Sequence, residues 1–159
     1  MNKIYLLTGS NMGDSSLQLK KAAANIEKEI GQITRHSGLY QTAAWGKTDQ
    51  PDFLNQVLVV ETSCTAPQTM QKILAIEKKM GRVRTVKNAR RIIDIDILYF
   101  GKEIIQEKDL VVPHPAIPQR RFVLVPLNEL APHFIHPVHN ISNHRLLMKC
   151  PDKLDVKKK

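Results

Sequence analysis

Two aspartates stand two positions apart in the run Ile92-Ile93-Asp94-Ile95-Asp96-Ile97-Leu98-Tyr99-Phe100. In an extended strand alternate residues share a face. Both carboxylates therefore point the same way, with Cα atoms about 7 Å apart, while Ile93, Ile95 and Ile97 point into a core. Strands disfavour Asp, and two ionised carboxylates side by side repel. Two readings meet that cost. The acids hold a pair of Mg²⁺ ions, roughly 3.5–4 Å apart, that substrate phosphates bridge; or they face solvent or pair with Lys and Arg. Immediately upstream, Arg82, Arg84, Lys87, Arg90 and Arg91 follow one another with no acid among them. Guanidinium forks match phosphate oxygens, so a basic loop beside paired acids suits a polyphosphate. The alternatives are that the arginines only neutralise Asp94 and Asp96, or that the loop binds RNA. The loop has no interleaved aromatics, and the acids would repel a nucleic-acid backbone.

Other residues fit a small-molecule site. Glu77 falls in the middle of an apolar helical stripe of Met70, Ile73, Leu74 and Met80, where a carboxylate needs a partner; the other reading makes Ile76 the core position and Glu77 marginal. Phe53 and Asn55 share a strand face, and with Trp45 and Phe122 they could form a ring pocket in which aromatics stack and an amide pairs with a heterocycle edge. Ordinary core packing is the competing explanation. His114, in Val112-Pro113-His114-Pro115, could hydrogen-bond a phosphate. His133, His136, His139 and His144 match no standard metal spacing and read as surface residues. Gly9-Ser10-Asn11 lacks the downstream Gly-Lys-Ser/Thr of a Walker loop and reads as a strand-to-helix turn.

The elements that must carry these residues follow from periodicity. A first strand spans 3–9 and a helix 14–30, with Leu19, Ala22, Ala23, Ile26 and Ile30 on one stripe and Gly31 as its stop. Strands follow at 33–41 and 53–63, separated by the loop 42–52. Thr65 caps a second helix with Pro67 in its first turn, running to Met80 and stopping at Gly81. The basic loop 82–91 leads into the strand 92–100. A short hairpin is expected within 103–112 and a helix or helical turn near 118–130; the segment after Pro132 has no clear pattern. The order β-α-β-β-α-β is that of a ferredoxin-like α+β core, a mainly antiparallel sheet with helices packed on it and extra C-terminal strands or helices.

Composition agrees. The 159 residues suit one catalytic domain, with a core over about 3–132 and a C-terminal extension over 133–159. The formal charge is +9, from 24 Lys+Arg against 15 Asp+Glu, which suits an anionic ligand. Lys157-Lys158-Lys159 reads as a solvated tail, and Lys20-Lys21 and Lys78-Lys79 as wet helix faces. No apolar run approaches the roughly 20 residues of a membrane span, and the N-terminus does not read as a signal peptide. Cys64 and Cys150 stand alone, which points to a reducing, cytoplasmic setting.

Four blocks in this order resemble the 6-hydroxymethyl-7,8-dihydropterin pyrophosphokinase family. They are Leu7-Thr8-Gly9-Ser10-Asn11-Met12-Gly13-Asp14; Tyr40-Gln41-Thr42 through Gln50-Pro51-Asp52-Phe53-Leu54-Asn55; Gly81-Arg82-Val83-Arg84 through Arg91-Ile92-Ile93-Asp94-Ile95-Asp96-Ile97-Leu98; and Val112-Pro113-His114-Pro115 through Arg120-Arg121-Phe122-Val123-Leu124-Val125-Pro126-Leu127. The resemblance implies diphosphate transfer from ATP to the hydroxymethyl oxygen of the pterin, with release of AMP, in folate biosynthesis. It implies that Asp94 and Asp96 bind two Mg²⁺ ions and that Arg82 and Arg91 act with them in catalysis. ATP contacts are then expected from Glu77, Arg82, Arg84, Arg91, Ile97, His114 and Arg120. Pterin contacts are expected from Thr42, Ala43, Trp45, Phe53, Asn55, Asp94 and Phe122. The expected partners are these two small molecules, without nucleic acid or membrane, in a monomeric protein. The chain departs from the family pattern where Asn88-Ala89-Arg90 replaces a common Trp-Gly-Pro, at Ala43-Ala44, and at Ala116. Two other classes fit parts of the sequence: a ferredoxin-like RNA-binding module and a ring-sensing regulatory domain.

Overall fold

In a computed structural model of the chain, residues 1–43, 51–82 and 92–159 are described. Trp45, Arg84, Lys87, Arg90 and Arg91 therefore lie outside the described residues. The strand Asn2–Ser10 (β1) is central because its side chains are apolar on both faces: Ile4 and Leu6 enter one core, Tyr5 and Leu7 another. It pairs antiparallel with Phe53–Thr62 (β4) on one side and with Asp94–Phe100 (β5) on the other. Gln32–His36 (β2) and Tyr40–Thr42 (β3) both pair antiparallel with β4. The order β5-β1-β4-β3, with β2 also on β4, is the mainly antiparallel ferredoxin-like sheet expected from the sequence.

One helix pair covers one face of the sheet. Ser15–Glu29 (α1) starts at Asp14, whose side chain accepts the Leu17 N–H, and buries Leu19, Ala22 and Ile26. Ala66–Lys79 (α2) starts with a full capping box between Thr65 and Gln68. It buries Thr69, Ile73, Ile76 and Glu77. Leu74, which the sequence stripe places inward, is exposed. The opposite face packs on Arg121–Leu130 (α3) and Asn143–Lys149 (α4), through Val123, Leu124, Leu127 and Leu146. The small hairpin Ile105–Glu107 (β6) and Leu110–Val112 (β7) lies in the expected interval.

The expected strand over 33–41 is two strands. At the break the Ser37 N–H donates to the Val57 carbonyl, and the Ser37 hydroxyl accepts the Val57 N–H at 2.9 Å. A side chain thus completes the ladder where the backbone leaves it. The helix expected near 118–130 is a 3₁₀ turn, Ile117–Gln119, followed by α3, with Arg120 extended between them. The lysine tail is not simply solvated: Lys157–Lys158 (β8) pairs with β3, although its side chains stay exposed. His136 is not a surface residue. It is 3% exposed, and its Nδ1 accepts the N–H groups of Val138 and His139.

Candidate active site

Strand parity builds the site. Asp94, Asp96 and Leu98 of β5, Leu7 and Gly9 of β1, and Phe53 and Asn55 of β4 all occupy the sheet face that carries α3, and all line one cleft. Thr42 and Ala43, at the end of β3, form one wall. Arg120 and Phe122, at the start of α3, form the other, with the Arg120 guanidinium 5.8 Å from the centre of the Phe122 ring. His114 completes the rim. The cleft is where the face continues beyond the helix that covers it.

Each polar group has a local reason for its position. A Cβ on Gly9 would lie 2.5 Å from Asn55 Oδ1, so the glycine makes room for the Asn55 amide. Asn55 is buried in the cleft lining, and its Nδ2 has no hydrogen-bond partner among the described residues. His114 is fixed through its backbone, whose N–H donates to the Leu98 carbonyl on the open edge of β5 at 2.9 Å. Its Nδ1 accepts the Ala116 N–H, which leaves the ring proton on Nε2, 4.0 Å from Asp96 Oδ1. Burial and then the Arg120 charge push the imidazole pKa down, with Asp94 opposing them.

Behind the acids, Glu77 is buried and partnered, as the first reading of that helix stripe required; Ile76 is a core position as well, but Glu77 is not marginal. Glu77 Oε2 accepts the Ile95 N–H at 2.8 Å and pairs with Arg82 Nη1 at 2.5 Å. The same guanidinium nitrogen reaches Asp94 Oδ1 at 2.6 Å. Burial alone would lower the Arg82 pKa, but the Asp94 and Glu77 charges outweigh it and the net shift is upward. The structure does not bring the Ile97 side chain into the cleft; it lies in the core on the other face.

The donors suit Mg²⁺ in a nucleotide complex. Asp94 and Asp96 are partly accessible, with side chains 21% and 35% exposed. Among the described residues no group of three or more His, Cys, Asp or Glu comes together as a metal cage. Two carboxylates completed by waters and substrate phosphates is how Mg²⁺ is commonly held, and the residues present fit it.

Fold and cleft together define an α+β protein with a cleft lined by Phe53 and Phe122 beside paired acids on one sheet face. Comparison with known proteins gives the family. The family described as 7,8-dihydro-6-hydroxymethylpterin-pyrophosphokinase matches residues 5–132. The chain belongs to this family of pyrophosphokinases. A 2-amino-4-hydroxy-6-hydroxymethyldihydropteridine pyrophosphokinase of Aquifex aeolicus is 41% identical over 139 residues, covering 87% of this chain and 86% of that protein. The protein of the same name from Bacillus subtilis is 38% identical over 132 residues, 82% of this chain and 79% of that one. A folic acid synthesis protein of Dictyostelium discoideum is 37% identical over 151 residues, but the match spans 95% of this chain and only 23% of that protein. A Plasmodium falciparum HPPK-DHPS crystal structure superposes with a TM-score of 0.75 at 22% identity, covering 94% of this chain and 43% of that one. The chain thus spans well under half of some relatives and most of others. No helix among the described residues is long and apolar enough to cross a membrane.

Proposed function

We propose that the protein transfers diphosphate from ATP to the hydroxymethyl oxygen of 6-hydroxymethyl-7,8-dihydropterin and releases AMP. The observation that carries this reading is the convergence of Asp94 and Asp96 with Phe53, Asn55 and Phe122 in one cleft. Phe53 and Phe122 sandwich the ring, while the Asn55 amide pairs with its edge and Thr42 and Ala43 close its side. Trp45, Arg84 and Arg91 complete the proposed contacts. Arg120, His114 and Arg82 bind phosphate oxygens, with Glu77 fixing the approach of Arg82. Ile97 takes part through its position on the strand that carries both acids.

Asp94 and Asp96 would hold two Mg²⁺ ions, which when bound neutralise phosphate charge and acidify the attacking hydroxyl. The residues hold the oxygen in line with the β-phosphorus, so the chain contributes mainly by positioning. A bond forms between that oxygen and the β-phosphorus while the bond from it to the α,β-bridging oxygen breaks. AMP leaves with the bridging oxygen and the hydroxyl proton is released. Arg82 and Arg91 stabilise the charge that develops on the leaving group. The buried, unpaired cysteines suit a reducing compartment, and a cytoplasmic monomer is part of the same proposal.

The test is AMP release from ATP and Mg²⁺ by purified protein. The expected result is release strictly dependent on the reduced hydroxymethylpterin. ADP formation, or AMP release without the pterin, rejects the reading.

A further inference from the structure

The two walls of the cleft are joined by the last residues of the chain, beyond the 5–132 region that matches the family. At one wall the Asp152 carboxylate accepts the Arg121 N–H at 2.9 Å, at the first residue of α3 and between Arg120 and Phe122. Its other oxygen accepts the Leu154 N–H at 2.9 Å, which turns the chain away from the helix. At the other wall Lys157 and Lys158 pair with Gln41 and Tyr40, and the Lys159 N–H donates to the Leu39 carbonyl at 2.8 Å. On its other side β3 is paired with Phe53 and Asn55, and it ends at Thr42.

Glu129, near the far end of α3, closes the circuit. Its carboxylate accepts the Tyr40 hydroxyl at 2.6 Å and the Gly38 N–H at 3.1 Å, and it lies 3.5 Å from Lys158 Nζ. Gly38 packs under the Lys158 side chain, and a Cβ there would lie 2.6 Å from Lys158 Cε, which would move that flexible side chain aside. A three-residue strand such as β3 has few ladder bonds of its own. Its position therefore depends on what lies along its outer edge.

We propose that residues 152–158, with Glu129, form a strap that fixes the spacing of the two cleft walls and so sets affinity for the ring substrate; Asp152 and Glu129 are positioning residues. The inference rests on the proposed ring-binding role of the cleft. Residues 152–159 lie outside the cleft lining, so removing them deletes no proposed substrate contact.

The experiment compares full-length protein, a variant ending at Pro151, Asp152→Ala, Asp152→Asn and Glu129→Gln. It measures KM for each substrate, kcat, thermal midpoint and amide exchange over 40–43 and 120–124. The expected result is a KM for the pterin raised roughly tenfold, the factor that about 1.4 kcal/mol represents, in the truncated chain and in Asp152→Ala. KM for ATP should rise clearly less, because Arg120 is the one proposed phosphate contact on that wall, and kcat at saturation should persist, by the logic of lost ground-state positioning. Exchange should accelerate in both walls, and Asp152→Asn, which keeps an oxygen for the Arg121 N–H, should recover most of the affinity. Equal rises in both KM values, an unchanged pterin KM, or a lower midpoint with unchanged kinetics each overturns the proposal. Absence of pterin-dependent turnover in the full-length protein would instead reject the functional reading, and unchanged wall exchange on truncation would still reject the strap.

Discussion

At the scale of single residues, the paired acids show how a period of two can be read as chemistry. Asp94 and Asp96 had to share a face, and they line the cleft together. Their pairing with Arg82 was one of the readings open from sequence, and it applies to Asp94 at 2.6 Å. Under the proposed function Arg82 would exchange Asp94 for phosphate oxygens, so the pair and a metal are compatible. Two substitutions separate the roles. Asp96→Ala should lower kcat by at least about 10³-fold with the fold intact, since its side chain is 35% exposed and fills no core; circular dichroism and a turnover assay check this. Phe53→Ala should weaken pterin binding by about tenfold while leaving ATP binding nearly unchanged, as calorimetry would show. Glu77 was legible as a charge out of place on an apolar stripe. An arginine was among the partners its charge allowed, and Arg82 is one; the Ile95 N–H was not legible, because it becomes an outward donor only once β5 is known to be an edge strand of the main sheet.

At the scale of elements, α1 and α2 were read to within a residue or two, and both start at caps, Asp14 for α1 and Thr65 with Gln68 for α2, whereas α4 was not read. The break between β2 and β3 was not legible. The residues around it, Thr34-Arg35-His36-Ser37-Gly38, carry no apolar alternation that would locate it, and the role of Ser37 shows only where its hydroxyl accepts the Val57 N–H. Ser37→Ala leaves that buried donor without its acceptor and should cost about 1–3 kcal/mol. For a domain of this size that lowers the midpoint by roughly 2–12 °C, readable by calorimetry. The pairing of β8 was equally hidden, since three lysines carry no packing signal and the strand forms only against an edge left open by β3.

For the whole molecule, the sequence order β-α-β-β-α-β already implied the sheet, and its antiparallel pairing follows from that order. The segment after Pro132 was unreadable because its apolar contacts, Phe134 on Tyr99 and Leu146 in the second core, follow no single period, and a side chain, His136, ties its turn. Burial, then His139 and Lys102, push the His136 pKa down from 6.5 to about 4. The unfolded chain therefore binds a proton there that the folded one refuses. Stability is fully present above about pH 6.5 and is lost as pH falls toward 4, on the order of 1 kcal/mol per pH unit. Glu129, held below its ordinary pKa because the Tyr40 hydroxyl and the other partners outweigh burial, adds loss in the same direction. His136→Asn keeps an acceptor for the two turn N–H groups and removes the titration. Its thermal midpoint should fall less between pH 7 and pH 5 than that of the unsubstituted protein.

The division of the sheet into two faces carries a consequence for how the protein can change over time. Behind the sheet, the core around Ile4, Leu6, Ile26, Ile73 and Ile95 asks only for apolar side chains of fitting volume. In front, the cleft end of the same strands carries Gly9, Asn55, Asp94 and Asp96, while Tyr5, Val57 and Val59 further along build the second core. Tolerance to substitution should therefore alternate residue by residue only at the cleft ends of β1, β4 and β5. A library randomised at the rear positions would return many functional members, and one randomised at those cleft positions very few.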